Sequence, residues 1–329
     1  MKRRDFISLV GGASASLPLA AWAQSSARTR VVGVFMPGPE IDPEGQSYAA
    51  LLRQGLQKHG WTMDGDLRIH FRWGVASAER TRAAISELLD LKPDVLLAGT
   101  TGTLMALQRA TQTVPVVFFM IYEPVAQGFV QSLAHPGGSM TGFTGAEATV
   151  GAKWLELLKQ MAPSLARVEF MSNPGNPGPL QSYHSIQAAA ANLGIEPAKA
   201  PVRGASEIEG LMDRLRGMPG GGLIVPPDGF LLQHSRLIID LAARYRLPAI
   251  YGMRSYAAEG GLACYGVSVG EQFRRAADYI DRILRGEKAR DLPVQQPTEY
   301  EFIINGKTAR ALGLDIPPAL LATANEVIE

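Results

Sequence analysis

Residues 266–270 read Gly-Val-Ser-Val-Gly, the spacing of a nucleophile elbow, in which a serine on a tight strand-to-helix turn attacks a carbonyl carbon. The flanks suit that motif: residues 262–265 are apolar enough for a strand, and residues 271–284 carry a helical pattern. The chemistry also needs a base, and in hydrolases with this motif the histidine follows the serine. Here the last histidine is His234, so Ser268 is left a weak nucleophile. Gly306-Lys307-Thr308 ends like a phosphate-binding loop, but Glu301 occupies the position where the first glycine is required. No G-x-G-x-x-G run occurs. The five histidines (His59, His70, His135, His184 and His234) are never three or four residues apart, so no helical metal pair is encoded. The single cysteine, Cys264, has no disulfide partner and reads as a small buried apolar residue. These patterns predict no metal, no cofactor and no enzyme activity, with a serine hydrolase as the remote alternative.

A second set of polar residues follows a different rule. Short apolar runs at residues 31–36, 94–98, 114–121, 167–171, 222–225, 248–251 and 262–265 alternate with helical stretches. In an open parallel sheet, ligands bind beyond the carboxyl ends of the strands. The residues there are Met36, Thr100, Thr101, Tyr122, Glu123, Asn173, Asp228, Tyr251, Tyr265 and Ser268, and they are the candidate ligand-binding set. Thr100 and Thr101 precede a helix, whose first N–H groups suit a carboxylate. Asp228 and Glu123 could hold an ammonium group, and Tyr122, Tyr251 and Tyr265 could form an aromatic wall. Asp228 has a second reading, as the cap of a helix that begins near Gly229.

The elements that must position this set are legible from periodicity. Helices are predicted over residues 48–56, 81–91, 103–111, 153–161, 181–193, 231–245 and 271–284, and a one-sided alternation at 67–73 (Leu67, Ile69, Phe71, Trp73) predicts a further strand. Residues 173–177, Asn-Pro-Gly-Asn-Pro, read as a turn. Strands alternating with helices imply βαβ units and parallel sheets. Two such runs in 329 residues imply an α/β protein of two Rossmann-like lobes.

Composition narrows the partner. Lys plus Arg number 32 and Asp plus Glu 31, so there is no basic excess of the kind a nucleic-acid surface usually shows. Residues 1–23 have the layout of an export signal: Lys2, Arg3 and Arg4, then a short apolar stretch, then Ala21-Trp22-Ala23 as a cleavage site. The Arg3-Arg4 pair suggests the twin-arginine route, with general secretion as the alternative. The mature chain would begin at Gln24 in the periplasm.

Several long segments resemble the ABC-transporter substrate-binding family related to bacterial tryptophan- and tyrosine-binding proteins. They include residues 114–126 (VPVVFFMIYEPVA), 132–145 (SLAHPGGSMTGFTG), 247–266 (LPAIYGMRSYAAEGGLACYG), 274–286 (RRAADYIDRILRG), 291–304 (DLPVQQPTEYEFII), 307–314 (KTARALGL) and 317–329 (PPALLATANEVIE). The chain departs from that pattern at Glu123, where relatives carry aspartate, and at Ser268, where they carry the aspartate of Tyr-Gly-x-Asp. The resemblance implies the type I periplasmic-binding-protein fold, its lobes joined by a three-strand hinge, with residues 30–145 plus 268–292 in one lobe and 146–267 plus 293–329 in the other. It implies a monomer that closes on a small ligand, an amino acid or small aromatic acid, and docks transiently on an inner-membrane ABC permease. It also matches Asp228 to an acidic position of the family. A ligand sensor docking on a membrane receptor is the competing role. Replacing Arg3 and Arg4 by lysine is expected to leave unprocessed precursor in the cytoplasm, read by fractionation and immunoblot; unchanged processing would reject the twin-arginine route.

Overall fold

A computed structural model describes residues 28–75 and 77–329; the export segment expected at residues 1–23 lies outside them. The first half is a regular alternation: β1 (Arg30–Phe35), α1 (Pro43–Lys58), β2 (Leu67–Arg72), α2 (Ala78–Asp90), β3 (Val95–Ala98), α3 (Thr101–Ala110), β4 (Val116–Ile121) and β5 (Met140–Thr144). The five strands form one parallel sheet in the order β2-β1-β3-β4-β5. Successive side chains of β3 serve opposite faces. Val95 and Leu97 join the core under α1, whereas Leu96 and Ala98 join the core under α2 and α3. A strand buried on both faces must be apolar throughout, which is why β1, β3 and β4 were readable as unbroken apolar runs.

The second half continues α4 (Val150–Met161), β6 (Arg167–Ser172), α5 (Leu180–Leu193), β7 (Glu196–Pro201), α6 (Ala205–Leu215), β8 (Gly221–Val225), α7 (Gly229–Gln233), α8 (Ser235–Arg244), β9 (Ala249–Tyr251), α9 (Arg254–Ala258), β10 (Ala263–Val267) and α10 (Val269–Leu284). A 3₁₀ turn at Ala289–Asp291 then leads to β11 (Tyr300–Asn305), α11 (Gly306–Leu312), α12 (Pro318–Leu321) and β12 (Glu326–Ile328). The seven strands order as β12-β11-β10-β9-β8-β6-β7, parallel except where β11 runs against β10. Trp154, Leu155 and Ile186 fill one face, and Leu211, Ile238 and Tyr251 fill the other. The α/β architecture of two lobes with mostly parallel sheets is as expected from the sequence.

Several details differ from the sequence reading, which placed no element at α6, α9, α11, α12, β11 or β12. The helix expected at residues 231–245 is two helices, because His234 leaves the helical backbone (φ −104°, ψ 13°) and serves as C-cap of α7 and N-cap of α8. The strand β7 (Glu-Pro-Ala-Lys-Ala-Pro) has no apolar run; it is an edge strand, where proline and lysine are tolerated. The strand β5 (Met-Thr-Gly-Phe-Thr) has a glycine at its centre and no unbroken apolar run to mark it.

The chain passes between the sheets three times, after β5, after β10 and before β11. The middle passage sends α10 back to the first sheet, where Phe273, Ala276, Ala277 and Ile280 pack beneath β1, β3 and β4 beside α1. Its fully buried Gln272 (1% exposed) satisfies two backbone groups at once: Oε1 accepts Met120 N–H at 2.9 Å, and Nε2 donates to Thr144 O at 2.8 Å. Met120 sits at φ +57° where the β4–β5 register shifts, so its N–H has left the ladder and depends on Gln272. Gln272→Ala orphans a buried donor and a buried acceptor and is expected to cost about 2–4 kcal/mol; chemical denaturation measures it, and a loss under 1 kcal/mol would contradict this role.

Candidate functional site

Parallel strands deliver their carboxyl ends to one side of each sheet, and a cavity of about 720 Å³ opens where β3 of the first sheet meets β6 and β8 of the second. Four of the ten expected ligand residues line it: Thr100, Thr101, Asn173 and Asp228. Thr100 caps α3, its Oγ1 accepting Thr103 N–H at 3.1 Å and donating to Thr103 Oγ1 at 2.8 Å. Thr101 follows, 9% exposed, and its hydroxyl has no hydrogen-bond partner among the described residues. The first turn of α3 therefore offers a free hydroxyl beside unpaired N–H groups. Across the gap, a β-carbon placed on Gly229 would lie 3.6 Å from Thr100 Cγ2, so the two strand-to-helix turns approach closely.

Asp228 is 7% exposed and heavily engaged. Its Oδ1 accepts Leu231 N–H at 2.9 Å, which is the cap of α7. Asn176 Nδ2 donates to Oδ2 at 2.8 Å, and Asn173 Nδ2 lies 3.2 Å from both oxygens. The cap and the cleft position are thus both real features of this carboxylate. Asn173 and Asn176 are brought to it by the turn after β6, where Asn173 Oδ1 accepts Gly175 N–H at 2.9 Å.

The other six residues lie elsewhere. Met36 is in the core of the first sheet and Tyr251 in that of the second, stacked on Tyr256 at 4.7 Å. Tyr122 is buried where the sheets approach: a β-carbon on Gly178, before α5, would stand 2.9 Å from its Cβ. Burial holds its phenol well above the ordinary range, with Tyr300 adding to the effect. Glu123 occupies a turn at φ +44°. Tyr265 stacks on Tyr300 at 5.5 Å. Ser268 caps α10 and donates to Glu301 Oε1 at 2.6 Å; no described histidine bonds it. The glycine before it is explained by backbone crowding, since a β-carbon on Gly266 would come within 2.1 Å of Gly252 O. Several lining residues were not anticipated: Asn176, Phe230, and Arg82 and Arg109 on the outward helices α2 and α3. Asn176 was discoverable from the Asn-Pro-Gly-Asn-Pro turn. The arginines carried no local signal, because surface helices are rich in arginine anyway.

A second, polar cavity of about 540 Å³ lies toward the hinge, lined by Arg254, Ser268, Glu301 and Glu326 among others. Arg254 donates to Glu326 at 2.5 Å and stands 3.8 Å from Glu301. Nearby on α1, Tyr48 donates to Glu44 Oε1 at 2.5 Å. Burial raises the Glu44 carboxyl above its usual range, against the Tyr48 hydrogen bond, which lowers it, and with Asp42 pushing upward as well. No group of three or more His, Cys, Asp or Glu side chains is arranged to hold a metal, and no helix is long and apolar enough to cross a membrane, among the described residues.

The family model for "ABC transporter substrate binding protein" matches residues 44–328. A "Tyrosine-binding protein" of Clostridioides difficile (strain R20291) is 25% identical over 261 residues, 79% of this chain and 75% of that one. Among solved structures, a conserved domain protein from Vibrio cholerae superposes with a TM-score of 0.82 at 24% identity, covering 91% of this chain and 100% of the other. An ABC domain in complex with L-Trp from Streptococcus pneumoniae gives 0.81 at 21% identity, with 91% and 100% covered.

Because the folded pKa of Glu44 is raised, its ionised form is disfavoured in the native state. The resulting penalty is absent below the unfolded value near 4.5 and grows as pH rises through the folded value. Glu44→Gln is therefore expected to raise the melting temperature at pH 7 and to leave it unchanged near pH 4; equal shifts at both would refute this.

Proposed function

The chain belongs to the ABC transporter substrate-binding protein family, and on that premise we propose that it captures an amino acid or small aromatic acid between its lobes in the periplasm and passes it unaltered to an inner-membrane permease. The observation that carries this reading is one cavity with complementary walls. Thr101 and the first turn of α3, on the first sheet, offer donors and a partial positive charge. Asp228, on the second, offers a carboxylate. A carboxylic acid head group is held at the α3 end. An ammonium group, where the ligand has one, is held at Asp228, as the L-Trp and tyrosine of the relatives' names suggest.

Each wall belongs to a different lobe, so a ligand that touches both favours the closed arrangement and thereby shifts the population toward it. The three chain passages act as the hinge. The lobes are bounded at about residues 145, 268 and 292. Closure at the α3 and α7 turns needs little travel, since Thr100 and Gly229 already stand near each other. The residues at the cavity are binders: Thr101, Asn173 and Asn176 neither abstract protons at neutral pH nor form covalent adducts readily, which accords with release of an unmodified ligand.

A thermal-shift screen of the mature protein against amino acids and aromatic acids tests the proposal. A true ligand at roughly a hundredfold to a thousandfold its dissociation constant stabilises the fold by about 3–4 kcal/mol. Thr101→Val keeps the shape and removes the hydroxyl, and is expected to weaken binding about tenfold for any carboxylate ligand. Asp228→Asn is expected to weaken only ligands that carry an amine. Binding that survives both substitutions unchanged would place the ligand outside this cleft.

A further inference from the structure

The cavity does not end at the α3 turn. Its wall extends along α2 and α3, where it is lined by Ile85, Leu89 and Ala106 and by Arg82 and Arg109. These are the two cations that line it, and neither guanidinium has an ion pair, a hydrogen bond or a ring contact among the described residues. Arginines elsewhere on the surface are commonly paired: Arg72 with Glu87, Arg236 with Asp240, Arg274 with Glu271, Arg282 with Glu287. The single carboxylate on the cavity wall, Asp228, already receives Asn173, Asn176 and the backbone of Leu231. The cavity therefore carries two unpaired cations against a single carboxylate, whose oxygens are shared with two asparagines and a helix cap.

We propose that the outer reach is a second anion subsite, and that the ligand carries a second negatively charged group at the end of an apolar spacer. This deepens the solute-binding reading and rests on it. Thr101 and the first turn of α3 take the head carboxylate, the unpartnered hydroxyl of this 9% exposed residue marking that end of the site. The spacer lies against the apolar wall of α2 and α3 that includes Ile85 and Ala106, and Arg82 and Arg109 receive the distal carboxylate or phosphate. Arg109 follows Thr101 by eight residues, about 12 Å along the helix axis, and helical side chains lean back toward the N-terminus. That spacing puts Arg109 beyond the reach of aspartate or glutamate held at the α3 turn and suits a longer, rigid ligand such as one with a para-substituted phenyl spacer.

Titration calorimetry on the mature protein with matched pairs tests this: phenylalanine against 4-carboxyphenylalanine, and 3-phenylpropanoate against 3-(4-carboxyphenyl)propanoate. O-phosphotyrosine, set against 4-carboxyphenylalanine, reports whether the distal group is better read as phosphate or as carboxylate. The anionic member of at least one pair is expected to bind tenfold or more tightly than its neutral partner. That preference should disappear in Arg82→Gln/Arg109→Gln, persist in Arg82→Lys/Arg109→Lys, and fall as salt is raised, with the melting temperature of the ligand-free protein unchanged. Neutral members that bind as well as their anionic partners would overturn the second subsite and leave solute binding intact. A preference that survives the glutamine pair would overturn the assignment to these arginines. Failure of every probe, neutral and anionic, together with silence in the amino-acid and aromatic-acid screen, would count against the solute-binding reading itself.

Discussion

Gln272 is the side chain on which the two-lobed arrangement most directly depends. The chain leaves the first sheet after β5, builds most of the second, and must then return α10 to the first. That return fixes α10 under a sheet with an irregular inner strand, since β4 leaves its ladder at Met120. One amide, donor at one end and acceptor at the other, satisfies both the stranded N–H of Met120 and the carbonyl of Thr144, the residue at which the chain departs. A buried polar group is tolerated only when paired, so the irregular strand, the departing strand and the returning helix are specified together. Around it the aromatic contacts Tyr48–Phe273 and Phe119–Phe273 hold α10 to α1 and β4.

The cleft follows from that arrangement and from strand direction. Parallel sheets gather loops at their carboxyl ends, and two sheets facing across a hinge gather two such sets. Each set is first used to terminate its own helix: Thr100 for α3, Asp228 for α7, Ser268 for α10. What remains for a ligand is the residue after the cap. Thr100 is spent on Thr103, and Thr101 is left free beside it. The same division explains why a hydrolase-like pentapeptide arises without a hydrolase constellation around it. Gly266 clears the backbone of Gly252, and Ser268 caps a helix, so ordinary strand-to-helix construction yields the spacing.

The hinge side has a different character. Arg254 is shared among Glu326 and Glu301, with Glu44 and Tyr48 of the first sheet close enough to feel its charge. Charged groups held in a narrow polar cavity between lobes respond strongly to small changes of separation, because the effective dielectric falls as water leaves. This cluster stands apart from the cavity lined by Thr101 and Asp228.

The amino-acid sequence by itself determined the α/β class, the alternation and most element positions, because strands buried on both faces must be apolar along their length and helices must show a 3.6-residue stripe. It also marked Thr100, Thr101, Asn173 and Asp228 as strand-end polar residues, and the long family-like segments from residue 114 onward pointed to a solute-binding protein. Tertiary structure alone decided the rest. Tyr251 ends β9 and Met36 directly follows β1, whereas Asp228 lies three residues past β8; the first two turn into cores, since which way a residue at a strand end faces depends on register and on what packs above it. Edge strands such as β7 lack the double burial that makes a strand legible. Arg82 and Arg109 lie on exposed helix faces, and nothing local distinguishes them from paired surface arginines; their place on a cavity wall exists only once α2 and α3 are laid side by side on the sheet.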